Sequence, residues 1–173
     1  MKNFLKLSIF LLLISFTFQT AFAQDYKKPE PIKSVLLDNM MGVWTAEPYE
    51  MMGSTWSDES NQHMMHNGQY LFIDINGKSS KGETYTATVV MVPNKDGSFT
   101  GWGFDDWGSI TNYTGKTLSD NKITVTGTSS WGTETREITI DGDKMTHDIT
   151  FTMKGQDGKD MTMKMTVNYN RKK

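Results

Sequence analysis

The chain has 173 residues, with 18 Lys and Arg against 20 Asp and Glu, 13 methionines, 3 histidines and no cysteine. That length suits one ordinary domain able to bury a core without covalent staples. The lack of cysteine excludes a disulfide framework, a lipidated N-terminus and a thiol nucleophile. The slight acidity, with no basic stripe outside the terminal Arg171-Lys172-Lys173, argues against a nucleic-acid partner.

The first 23 residues read as an export signal. Lys2 and Lys6 give a basic start, residues 7–18 an apolar run of about 12, too short to span a bilayer, and Ala21-Phe22-Ala23 a small-residue cleavage site. Cleavage before Gln24 is expected, leaving a periplasmic or secreted protein that does not span a membrane. Losing Lys2 and Lys6 leaves 16 of the 18 basic residues against 20 acidic ones, a net charge of −4. Residues 24–33, with Pro29 and Pro31, read as a linker and residues 34–173 as one domain. Ser34 can cap a short helix through Met41 that carries Val35, Leu36, Leu37, Met40 and Met41, with Gly42 ending it. So short a helix must pack against something.

From Gly42 onward the pattern is strands and turns. Strands are predicted over 43–52, 54–66, 69–75, 83–92, 98–105, 108–114, 122–128, 133–140, 145–153 and 161–169. Several alternate with period two, as half-buried strands do. Tyr85, Ala87, Val89 and Met91 oppose Thr84, Thr86, Thr88 and Val90. Met145, His147, Ile149, Phe151 and Met153 oppose a row of Thr, Asp and Lys. Met161, Met163, Met165, Val167 and Tyr169 do the same in the last strand. Asn67-Gly68 and Asp141-Gly142 suit type I′ hairpin turns, and Asn94-Lys95-Asp96-Gly97 a four-residue loop. Short sequential strands joined by tight turns predict an all-β, closed antiparallel up-and-down barrel of about 8–10 strands behind a short N-terminal helix, since closure removes exposed sheet edges. A β-sandwich is the alternative.

At Gly42-Val43-Trp44 the chain resembles a known family. A Gly-x-Trp entering the first strand, a short helix before it, a meander after it and an arginine beyond the last strand resemble the calycin superfamily of lipocalin-like barrels. More closely, the chain is similar to secreted bacterial lipocalin-like barrel proteins, a group of uncharacterised function. The segment Gly101-Trp102-Gly103-Phe104-Asp105-Asp106-Trp107-Gly108-Ser109, followed by Asn112-Tyr113-Thr114-Gly115, is similar to that group's aromatic-Asp-Gly stretch leading into Tyr-x-Gly. The likeness spans residues 35–171. It implies that Trp44 closes the barrel floor with Arg171 over its ring, a cation–π contact of about 0.5–2 kcal/mol, and that the barrel holds small apolar molecules. Haem-binding ten-stranded relatives such as nitrobindin are less similar. They carry an axial histidine near the C-terminus, where this chain has Met163, Met165 and Val167, with His147 one strand earlier.

His147 is the strongest single site candidate, because an inward imidazole would be desolvated and held neutral, able to accept a hydrogen bond or bind a metal. Tyr85, Trp102, Phe104, Met145, Phe151, Met163 and Met165 complete the expected ligand-binding set, with Trp44 and Arg171 structural. In His63-Met64-Met65-His66 the two imidazoles should face opposite ways on a strand and so fail to chelate one ion. Adjacent Asp105 and Asp106 diverge likewise and read as turn residues. Gly77-Lys78-Ser79 lacks the rest of a phosphate loop, and Asp141-Gly142-Asp143 and Asp157-Gly158 lack calcium-loop spacing.

The expected function is binding of a small, mostly apolar ligand without catalysis and without a cofactor, by a monomer or weak oligomer. A soft-metal (copper) or haem site of His147 and methionines is one alternative, since Cu(I) favours thioether and imidazole. A filled barrel acting through its surface is another, and an enzyme with a perturbed carboxylate in a cleft a third.

Overall fold

The computed structural model describes residues 27–155 and 157–173, so the expected export signal and cleavage site lie outside the described residues. One helix, α1 (Val35–Met40), precedes β1 (Gly42–Ala46), β2 (Tyr49–Met51), β3 (Ser54–Met65), β4 (Tyr70–Ser79), β5 (Thr84–Pro93), β6 (Ser98–Asp105), β7 (Ile110–Ser119), β8 (Lys122–Ser129), β9 (Gly132–Asp141), β10 (Lys144–Lys154) and β11 (Asp160–Arg171). From β3 to β11 each strand pairs antiparallel with the next, and β1 pairs with both β11 and β3, closing a ten-stranded barrel to which β2 is an extra strand. No helix among the described residues is long and apolar enough to cross a membrane.

The expected strand over 43–52 is broken at Glu47-Pro48. Proline has no N–H to give the ladder, and the chain takes up the break as a bulge with one extra residue. Before it Thr45 faces Glu59, and after it Tyr49 faces Trp56, a shift of one in register. A one-residue shift exchanges the two faces of a strand. Trp44 and Ala46 therefore point inward before the break, and Tyr49 and Met51 after it.

Turns and caps differ in detail from expectation. Ser34 sits at the helix N-cap but its hydroxyl makes no capping bond. At the β9–β10 hairpin the central pair is Gly142-Asp143 with positive φ only at Gly142, which is the type II′ pattern rather than I′. At the β3–β4 turn φ is positive at His66, Asn67 and Gly68, so the loop is longer than a two-residue I′ turn. Strands β4 and β7 run to Ser79 and Ser119, beyond the expected ends at Ile75 and Thr114 and through Gly77 and Gly115. Both glycines lie within the wall, where a missing side chain leaves room for neighbours.

The core gathers at one end of the barrel. Leu36, Trp44, Leu71 and Met145 are its largest fully buried side chains, and Leu37, Met91, Phe99, Ile123 and Ile140 surround them. The Trp44 Nε1–H donates to Met40 O at 2.8 Å, tying the first strand to the last turn of α1. Above the ring lies Arg171, its Cζ 4.1 Å from the Trp44 centroid. Its guanidinium also donates to the carbonyls of Met41 and Asn39, satisfying acceptors that the short helix leaves free. Gly42 is required here, because its φ is +120° and a Cβ would come 3.0 Å from Arg171 Nη1.

Candidate functional site

Beyond that floor the lumen stays open, with a cavity of about 360 Å³, within the range of small-molecule sites. Its wall is formed by the inward residues of the strands and is mixed in character. Apolar stretches come from Ile73, Val89, Ile149, Phe151, Met163 and Met165. The polar stretch comes from β3, whose inward residues Ser54, Trp56, Asp58, Ser60 and Gln62 are all buried.

Asp58 anchors the first polar group. Its Oδ2 accepts from Tyr49 Oη at 2.9 Å and from Tyr169 Oη at 3.4 Å, while Oδ1 has no partner among the described residues. Burial pushes the Asp58 carboxyl above its ordinary range, against the pull of the two phenols and Arg136. Burial, then the facing carboxylate, likewise raises both phenols. The bulge at Glu47-Pro48 is what delivers Tyr49 to this position.

Arg136 and Glu134 form the second group, two residues apart and on one face of β9. Arg136 Nη2 and Nε reach Glu134 Oε2 at 2.8 and 3.1 Å, and Tyr113 Oη donates to Oε1 at 2.9 Å. Burial alone would raise the Glu134 carboxyl, but the guanidinium and the phenol outweigh it and hold it below the usual range. Burial opposes the charge on Arg136 too, and Glu134 reverses the balance, so the guanidinium stays charged. The Arg136 side chain retains 28% accessibility although it points inward, and that surface faces the lumen. Tyr113 lies against the wall because its neighbours are glycines: a Cβ at Gly103 or Gly127 would come within 2.9 or 2.6 Å of its ring. Tyr85, nearer the mouth, is pushed up to about 12, chiefly by burial and then by Asp105.

His147 is inward and 8% exposed, its ring 4.8 Å from that of Tyr169. Burial, with Arg136 adding to it, pushes its pKa down to about 3, so the imidazole is neutral at pH 7. Among the described residues neither ring nitrogen has a hydrogen-bond partner, and neither do Gln62 Oε1 and Trp56 Nε1.

Of the expected pocket residues, Tyr85, His147, Phe151, Met163 and Met165 line the cavity. Met145 instead packs into the floor, 1% exposed, where its sulfur accepts from Gln62 Nε2 at 3.8 Å. The inward placement of Trp102 and Phe104 is corrected. Gly101 and Gly103 occupy the inner face of β6, so Trp102 and Phe104 stand on the outer face, 46% and 49% exposed, and Phe104 meets the cavity only along its border. Period-two alternation puts the two aromatics on one face but does not say which. Small residues went inside here because a Cβ at Gly103 would meet the Tyr113 ring and one at Gly101 would meet Val90 O and Met91 Sδ.

The two histidines of β3 and its turn also differ from expectation. His66 has a φ of 51°, and both His63 and His66 rings lie beside Phe72, with centroids 6.0 and 6.4 Å away. The turn thus brings both to the outer face. No group of three or more His, Cys, Asp or Glu placed to hold a metal occurs among the described residues. Register sets Met163 opposite Phe151, four residues from His147 or about 13 Å along the strand, and Met165 opposite Ile149, two residues from it. Asp105 serves its turn, its Oδ1 accepting from the N–H groups of Trp107 and Ser109 at 3.1 and 2.8 Å.

Sequence reasoning missed Tyr49, Asp58, Gln62, Tyr113, Glu134 and Arg136. One signal was available. Residues 54–63 contain a single large apolar side chain, Trp56, so a strand there, built into a closed barrel, must turn polar groups inward.

No protein-family model matches the sequence, and no curated protein is significantly similar to it. Among solved structures, the fold is similar to the crystal structure of Rv2717c from M. tuberculosis, with a TM-score of 0.65 and 13% identity, over 82% of this chain and 99% of that one. A redesigned β-barrel, mFAP1, bound to DFHBI matches with a TM-score of 0.46 and 16% identity, over 80% of this chain and 100% of the other. A de novo designed fluorescence-activating β-barrel matches with a TM-score of 0.43 and 12% identity, over 81% of this chain and 100% of the other. The likeness to Rv2717c shows the fold alone: this chain forms a closed antiparallel barrel of the same general architecture.

Proposed function

We propose that the protein is an exported lipocalin-like barrel of the calycin type that holds a small, mostly apolar molecule in its lumen without converting it. The open cavity of about 360 Å³ carries this reading. A barrel this narrow can fill itself with its own side chains, and here inward glycines on β4, β6, β7 and β8 keep the middle clear. The wall is apolar on most sides with a few convergent polar groups, the ordinary composition of a binding pocket. Export rests on the signal pattern of residues 1–23, and calycin membership on the Gly42-Val43-Trp44 entry with Arg171 over the ring.

Asp58 carries a carboxyl of raised pKa in the lumen, but both of its hydrogen bonds come from phenols. Neither ring nitrogen of His147 has a hydrogen-bond partner among the described residues, so the imidazole has neither an orienting acid nor a nucleophile to activate. Glu134 is committed to Arg136 and Tyr113. Native mass spectrometry of the chain from Gln24 to Lys173, purified from its own cell envelope without metal-affinity resin, tests the reading. A retained organic mass that organic solvent releases is expected. Failure to retain or take up any small apolar molecule would sink it, and a retained copper or haem mass would replace it.

A further inference from the structure

Resting on the lumen as a binding site, we propose that it selects ligands by a hydrogen-bond-donating pole, a hydroxyl or ammonium group on an apolar body, seated against Asp58 Oδ1, Gln62 Oε1 and His147. The three side chains lie in one sector of the wall. Asp58 and Gln62 share the inner face of β3 with Ser60 between them, and His147 is linked to Asp58 through Tyr169, which packs against the imidazole and donates to the carboxylate. All three are more than nine-tenths buried and line the cavity.

The inventory of free atoms favours a donor. With both phenols donating to its Oδ2, an ionised Asp58 offers Oδ1 only as an acceptor, and Gln62 Oε1 accepts. A neutral imidazole offers one acceptor and one donor, and Trp56 Nε1 supplies a single donor. As placed, Gln62 directs its Nε2 at Met145 Sδ and Ser60 Oγ, which leaves Oε1 as its free atom. A buried acceptor left unpaired is costly, so a ligand that donates here gains what one that only accepts cannot.

Charge points the same way. Well inside the lumen are two carboxylates, Asp58 and Glu134, and one guanidinium, Arg136, which Glu134 already holds at 2.8 Å. Asp58 has phenols for company but no cation of its own. A ligand ammonium would complete the balance, and a hydroxyl would add a bond without adding charge. A ligand carboxylate would bring a third anion to a single guanidinium. Tyr49, Trp56 and Tyr169 surround the position with aromatic surface suited to the carbon skeleton next to the pole.

The test uses one body with four poles: naphthalene, 2-naphthol, 2-naphthylmethylamine and 2-naphthoate, titrated calorimetrically into the exported chain at pH 7. Binding of the naphthol or the amine about tenfold or more above naphthalene, with naphthoate no better than naphthalene, is expected. An amine advantage that D58N abolishes assigns the pole as ammonium, and equal affinities for the two donors assign it as hydroxyl. Naphthoate binding as tightly as either donor overturns the proposal while leaving the lumen reading intact, as does naphthalene binding as tightly as naphthol. Binding by none of the four overturns both. The ligand series reads out on the unaltered protein, so the conclusion stands even if D58N fails to fold.

Discussion

The two ends of the barrel are made from the same alternating strands and reach opposite outcomes. At the floor, Trp44, Leu36, Leu71 and Met145 pack as fully buried side chains, and the charge of Arg171 is met by an aromatic ring, two carbonyls and Asp143. In the lumen, glycines replace bulky side chains, carboxylates and a guanidinium face inward, and several polar atoms have no partner among the described residues. A closed wall fixes backbone hydrogen bonding at both ends. The choice of side chain is therefore free to serve packing in one place and recognition in the other.

The contrast can be broken most forcefully at the floor. Trp44→Ala should cost about 3–5 kcal/mol in urea unfolding, because it removes a fully buried aromatic together with the contact to Arg171 and the bond to Met40. A loss under about 1 kcal/mol would show that the floor is not where stability resides. Next in size is Glu134→Gln, which leaves the inward-facing Arg136 without its counter-charge. The lower end of about 3–5 kcal/mol is expected, with the double variant Glu134→Leu/Arg136→Met recovering most of it. If the double variant is as unstable as the single one, the pair is not a matched unit.

A smaller effect follows from His147. Its folded pKa of about 3 lies below the ordinary value near 6.5, so the unfolded chain binds the proton first. The contribution is complete above about pH 6.5 and declines as pH falls toward 3, by about 1.4 kcal/mol per pH unit for a single group. The difference in stability between wild type and His147→Gln, followed from pH 7 to pH 4, should carry that slope. A flat difference would mean that the imidazole is not buried neutral. The smallest effect sharpens the comparison from outside: Trp102→Ala should change stability by about 0.5 kcal/mol or less and leave ligand binding unaltered, since the indole stands on the outer wall.

The barrel strands, the neighbourhood of the turns and the preceding helix were legible in the chain, because period-two alternation and Asn-Gly and Asp-Gly pairs are local patterns, while the Trp44–Arg171 contact was what the family resemblance implied. The site was legible only where its residues also look like core. His147, Phe151, Met163 and Met165 lie on strands whose apolar face identifies itself. Asp58 and Gln62 do not, because β3 has no hydrophobic face to mark its inside. Tyr49 was concealed by the bulge at Glu47-Pro48, which reverses the strand's faces within two residues.

By itself, then, the sequence determined a run of antiparallel-type strands and tight turns behind a short helix, since side-chain alternation and turn residues depend on neighbours in the chain. Only the tertiary structure decided what the barrel encloses. Whether a strand's polar side faces water or the lumen depends on how ten strands close around one another and on where glycine leaves room for a ring. Those are relations between residues far apart in sequence, such as Tyr169 with Asp58 and Tyr113 with Glu134.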